Sequence, residues 1–176
     1  MRSTRARFTW VLAFALASFA GCMGEGDDDD DDDDDGNVSA PDEMCLSGTA
    51  WVGGDTESSR MHPGRDCLGC HSERNEADEV TLGGTVFGAA DEADDCFGVA
   101  GVVLELTDAD GVITTVTSNS AGNFVVLETT IATPYTAKLT YEGRERVMAT
   151  PQTELSCNAC HTETGANGAP GRILAP

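Results

Sequence analysis

Two five-residue segments, Cys67-Leu68-Gly69-Cys70-His71 and Cys157-Asn158-Ala159-Cys160-His161, repeat the pattern C-x-x-C-H ninety residues apart. Any fold of this chain must present both. The pattern is the attachment signature of a c-type haem. Two thiols three residues apart reach the two vinyl groups of one porphyrin, and the adjacent histidine is then held beneath the iron as its proximal ligand. Of the three histidines in the chain, His71 and His161 directly follow a C-x-x-C pair. The expected cofactors are two covalently bound c-type haems, with Cys67, Cys70, Cys157 and Cys160 as thioether anchors and His71 and His161 as proximal iron ligands. Two other readings stand beside this one. Paired C-x-x-C knuckles also hold zinc, so the four cysteines form a single all-cysteine zinc site. In an exported protein they also pair as disulfides.

Candidate distal ligands precede each motif. Met61-His62-Pro63-Gly64 leads into the first, and the Pro63-Gly64 turn brings Met61 or His62 back towards the haem face opposite His71. Met148 precedes the second motif in the same way. Thioether and imidazole are both good sixth ligands. Arg60, Arg65, Arg74 and Arg172 lie near the motifs in an otherwise acidic chain and suit haem propionates, or simple charge balance against neighbouring acids.

The start of the chain reads as an export signal. Arg2, Arg5 and Arg7 precede the uncharged apolar run Phe8 to Ala20, which is short for a membrane span. Residues 1–21 are the expected signal peptide. Phe19-Ala20-Gly21-Cys22 resembles a bacterial lipobox, with Phe19 where Leu is usual, so Cys22 is the expected lipidation site. The alternative is an ordinary secretory signal with a later cut. No Asp follows Cys22, which in a Gram-negative envelope implies an outer-membrane lipoprotein. Residues 22–44 form an acidic linker containing nine consecutive aspartates, Asp27 to Asp35. Self-repelling charge with nothing apolar to bury gives a disordered, extended tether of about 70 Å reach at about 3.3 Å per residue.

The formal net charge is −21, and loss of the three leader arginines takes it to −24. Such a surface does not bind nucleic acid by charge; it serves solubility, or it steers the chain towards a basic partner.

Two segments flank a β-patterned centre: residues 45–79 and 151–176 carry the motifs, and residues 80–150 lie between them. Gly83 to Gly88 reads as one strand. Val99 to Thr107 reads as a second, with Val102, Leu104 and Leu106 alternating, and Asp108-Ala109-Asp110-Gly111 turns it into a return strand over 112–117. Asn119 to Asn123 is a turn before Phe124 to Leu127. Pro134 to Tyr141, with Tyr135, Ala137, Leu139 and Tyr141 alternating, is answered by Arg144 to Met148. Short strands separated by Gly and Asn turns indicate a mainly β chain, an antiparallel prealbumin- or immunoglobulin-like sandwich with irregular motif segments at both ends.

Gly84-Thr85-Val86-Phe87-Gly88, Val99 to Leu106, Ala121-Gly122-Asn123-Phe124 and Pro134 to Leu139 together resemble the carboxypeptidase-regulatory-like repeat. That resemblance covers about seventy residues and implies a prealbumin-like sandwich used as a spacer or adhesive module, with no peptidase activity. The acidic insert Asp91 to Cys96 departs from it. Resemblance to multihaem cytochromes rests on Cys67, Cys70, His71, Cys157, Cys160 and His161 alone, since no long helices flank either motif.

Setting aside Cys22 and the four motif thiols leaves Cys45 and Cys96 of the seven cysteines, the expected disulfide. The chain thus reads as an exported dihaem lipoprotein transferring single electrons between redox partners rather than as an enzyme. Two alternatives remain: a haem protein with an open axial site that meets peroxide or a small gas, and a surface-binding or structural sandwich with zinc or disulfides at the knuckles.

Overall fold

The computed structural model describes residues 45–74 and 80–176. The expected signal peptide, Cys22 and the acidic linker lie outside these residues.

The strand around which the rest is built is β1, Val80–Phe87, buried on both faces over most of its length. Leu82 and Val86 point one way into the core, and Thr85 and Phe87 point the other way, all four at 1 % exposure or less. A strand buried on both faces needs cover on both. On the core face that cover is a second sheet; on the other it is the segment carrying the first motif.

Four more strands follow. They are β2, Val103–Thr107; β3, Ile113–Thr117; β4, Asn123–Leu127; and β5, Thr136–Tyr141. After them come β6, Arg144–Val147, and, at the end of the chain, β7, Ile173–Leu174. They form two sheets, β4-β1-β7 and β3-β2-β5-β6. All pairs are antiparallel except β1 with β7, which is parallel. The chain is therefore mainly β, with two packed sheets, as its alternating pattern indicates. Leu82, Val86, Phe124 and Val126 of the first sheet meet Leu104, Leu106 and Leu139 of the second, with Val102, Ile131 and Tyr135 closing the cluster. Burying side chains of this size contributes about 1.5–3 kcal/mol each before entropy is counted.

The turns form by the local chemistry that their residues carry. Asp108 Oδ1 accepts from the backbone N–H of Asp110 and Val112, at 3.0 and 2.8 Å, closing the β2–β3 connection. Asn119 Oδ1 accepts from Ala121 and Asn123 in the same way before β4. Strand β2 begins at Val103 rather than at Val99, because Gly101 turns the chain with φ +79°.

Cys45 and Cys96 are joined in a disulfide. Beside it the lead runs antiparallel to residues 95–97: Phe97 N–H donates to Thr49 O at 2.8 Å and Trp51 N–H to Asp95 O at 2.7 Å. The first segment is thereby stitched to the loop after β1. The last segment is not a free Gly-rich tail, since Ile173 and Leu174 join β1 as an edge strand. Among the described residues no helix is long and apolar enough to cross a membrane.

Candidate functional site

Both C-x-x-C-H motifs start short helices, and both helices pack on β1. Helix α1, Cys67–Glu73, is capped by Asp66, whose carboxylate accepts from Gly69 N–H at 3.0 Å. Helix α2, Cys157–Cys160, is a single turn. The two rest against consecutive glycines. A Cβ placed on Gly83 would lie 3.5 Å from the Cys67 Sγ, an ordinary contact. A Cβ on Gly84 would lie 2.8 Å from the Cys157 Cβ and 2.7 Å from the Phe124 ring, which no side chain tolerates. The Gly83-Gly84 pair, legible only as strand, is where the fold seats its motifs.

The second motif is an excursion from the edge of the sheet. Leu155 O accepts from Gly83 N–H at 3.2 Å, and Ser156 bridges to Gly83 in the parallel sense. At Ile173 the chain returns to the same edge as β7. Between these points the ladder is continued by a side chain: Asn158 Oδ1 accepts from Thr85 N–H at 3.1 Å.

His161 follows α2, and its Nδ1–H donates to Gly171 O at 2.8 Å. In the neutral ring that bond fixes the tautomer and leaves Nε2 with its lone pair, the state in which imidazole ligates a metal. Gly171 has φ +128°, a region that only glycine enters freely, so the carbonyl is aimed by a backbone turn other residues resist. His161, Cys157 and Cys160 line a cavity of about 450 Å³ whose wall is mostly apolar, with Leu104, Phe124 and Leu139 on the core side and Met148 beside them. That is the size range of small-molecule and cofactor pockets, roughly 300–1,000 Å³. Tyr135 also lines it. Its hydroxyl donates to Glu154 O at 2.6 Å, and burial, followed by the neighbouring Cys157 sulfur, pushes the phenol far above its ordinary value.

The first motif is built differently. His71 Nδ1 is buried with no hydrogen-bond partner among the described residues. His62 is spent elsewhere: its Nδ1 meets Asp95 at 2.9 Å and its Nε2 meets Asp55 at 3.2 Å, with the Trp51 ring edge-on 6.3 Å away. Both ring nitrogens are thus engaged by carboxylates. Pro63-Gly64 packs into the body, Gly64 N–H donating to Thr85 Oγ1 at 2.9 Å. Met61 is half-buried, and its carbonyl accepts from Asn123 Nδ2 at 2.9 Å. Met148 is half-buried and packs on the core as well as lining the cavity.

Arg65, Arg74 and Arg172 each meet an acidic side chain. Arg65 pairs with Asp95, and Arg74 with Asp55 at 2.6 Å. Arg172, named for a propionate, is 5 % exposed; it stacks on Phe87 at 4.7 Å and bonds Glu92 O and Asp94.

None of Cys67, Cys70, Cys157 and Cys160 is in a disulfide. Burial pushes the Cys67 thiol up to about 11 and the Cys157 thiol up to about 12. Among the described residues, no three of these sulfurs and histidine nitrogens converge within 4.8 Å; the one such cluster, Cys45, Glu92 and Cys96, contains the disulfide. A single all-cysteine zinc site needs four sulfurs at about 2.3 Å from one ion, and this arrangement does not supply it. Compared with protein-family models, with curated proteins and with solved structures, the chain finds no match.

Proposed function

We propose that the chain is an exported dihaem c-type cytochrome, tethered to the cell envelope through Cys22 as an outer-membrane lipoprotein, that transfers single electrons. Cys67, Cys70 and His71 would hold one haem, and Cys157, Cys160 and His161 the other. The observation that carries this reading is the second motif. Its histidine is fixed through Nδ1 on Gly171 O, and that ring and both free thiols line one apolar cavity. When bound, the haem supplies one-electron exchange at its iron. The chain's own residues do the rest. The thiols anchor, the histidine is oriented by a backbone carbonyl, and Leu104, Phe124 and Leu139 exclude water, which tunes a buried redox centre. Met148 is the distal candidate that the same cavity supports.

The two-sheet body suits a spacer of the carboxypeptidase-regulatory-like kind, here used to carry the motifs. A charge of −21 supports a redox partner with a basic face and disfavours nucleic acid. A second reading has one support: His62 is engaged by Asp55 and Asp95, which favours an open axial position at the first centre and access for peroxide or a small gas.

Redox titration of the full-length protein, made in a host that matures c-type cytochromes and followed by its visible spectrum, tests the proposal. Two one-electron steps are expected. A spectrum that reduction leaves unchanged contradicts electron transfer. A high-spin component that shifts with carbon monoxide supports the open position.

A further inference from the structure

The second motif carries a buried amide that its own chemistry does not use. Asn158, the residue after Cys157, is 2 % exposed. Burying an amide is costly unless it is bonded, and this one is bonded three times. Oδ1 accepts from Thr85 N–H, while Nδ2 donates to Arg65 O at 2.9 Å and to Thr85 Oγ1 at 3.2 Å. Arg65 stands two residues before Cys67. Thr85 Oγ1 in turn holds Gly64 N–H and donates to Asn123 Oδ1 at 2.8 Å. One side chain inside the second motif therefore grips the lead of the first, 93 residues away. The capping residues repeat the gesture. Ser156, at the N-cap of α2, makes no side-chain bond to its own helix. Its hydroxyl donates instead to the Asp66 carboxylate, which caps α1. The first motif has Leu68 where the second has Asn158, so the grip runs one way.

We propose that Asn158, seconded by Ser156, is a positioning residue that fixes the two C-x-x-C-H centres in one mutual orientation across β1. Neither residue touches the iron ligands' own bonds. The inference rests on the dihaem reading, and its test separates the two.

The experiment compares the full-length protein with Asn158→Ala and Asn158→Asp. The aspartate keeps an acceptor for Thr85 N–H and removes both donors. Intact mass reports loading. Circular dichroism in the Soret band reports the mutual orientation of two bound haems, which a purely structural role would not alter while both stay folded. Both variants are expected to keep two haems, and both are expected to lose most of the paired Soret signal. Amide exchange of α1, at Gly69 and Cys70, is expected to quicken by about tenfold or more, as for removal of a buried hydrogen bond. A Soret pair unchanged in both variants overturns the proposal, even if their melting temperatures fall. If the unmutated protein carries no haem, the dihaem reading fails. The exchange data then decide the grip: α1 amides unmoved by Asn158→Ala overturn it as well.

Discussion

The two C-x-x-C-H motifs have the same spelling and different surroundings. The second is inserted into a sheet edge, with Leu155 and Ser156 on one side of it and β7 on the other, and its histidine is aimed by Gly171 O into an apolar cavity. The first lies on the outer face of β1, on a helix of seven residues none of which is buried. Its histidine has a buried Nδ1 with no partner among the described residues, and its upstream histidine is held between two aspartates. A five-residue motif specifies what can be attached. Its surroundings decide how firmly the attachment is oriented and how wet it is, and those are the quantities that set a redox potential. Two centres with one motif are thus expected to have two potentials.

The largest effect should fall on the first motif alone. Cys45→Ser removes the disulfide that ties its lead to the body, closing a loop of 51 residues in sequence. Loss of such a bond costs about 2–5 kcal/mol. Limited proteolysis should cut first within residues 45–65, with the second centre's spectrum kept. Equal disturbance of both centres would erase the distinction.

Next comes the glycine pair. Gly84→Ala places a Cβ 2.7 Å from Phe124 and 2.8 Å from Cys157, where core neighbours cannot give, and should cost about 1–3 kcal/mol. Gly83→Ala meets only 3.5 Å contacts with Cys67. A melting series should therefore show Gly84→Ala well below Gly83→Ala, and the second centre's spectrum should change in the former only. Equal melting points would mean that α2 is not seated as described.

A smaller effect concerns the thiols before loading. Burial raises Cys67 to about 11 and Cys157 to about 12 from an ordinary 9.0. The thiol is then the favoured form in the folded chain, so this contribution to stability is complete below pH 9.0 and declines as pH rises towards 11 and 12. Alkylation of the unloaded protein at neutral pH should be slower at these two positions than at a free cysteine by on the order of 100-fold or more, with Cys157 the slower. Rates like that of free cysteine at both would contradict the burial.

The smallest effect is at Asp55. Bonding to Arg74 and then to His62 holds its carboxyl below the ordinary 3.8. A lowered acid stabilises above 3.8, and that contribution goes as pH falls through its folded value. Amide signals of residues 53–62 should shift below pH 3.8, with those of α2 unmoved. Movement of both together would contradict an effect local to Asp55.

Local chemistry was legible in the sequence, and long-range seating was not. Val102, Leu104 and Leu106 alternate because one face of β2 is core. Asp108 to Gly111 turns because its first carboxylate caps its own loop. Cys45 and Cys96 were the cysteines left over, and they pair. Ile173-Leu174 left no such trace, since two residues carry no period and their partner, β1, lies on the far side of five other strands in the chain. Arg172 reads as a cation near the second motif, and nothing in its spacing shows that Phe87 and Glu92 O meet it. Asn158 reads as a variable position, yet its amide stands in for a strand carbonyl. Met61-His62-Pro63-Gly64 has the look of a ligand-bearing turn, and spacing alone does not show that Asp55 and Asp95 meet the His62 ring. Partners that meet only after folding cannot be read from spacing.

The central claim is that both motifs carry covalent haem. Intact mass of the full-length protein from a host with c-type cytochrome maturation tests it most directly, with a denaturing-gel haem stain alongside. The expected mass is that of the lipidated chain from Cys22 plus two haems, falling to one haem when Cys67 and Cys70 are replaced by alanine and to one when Cys157 and Cys160 are. A mass with no haem, from a host that loads a control cytochrome, would contradict it.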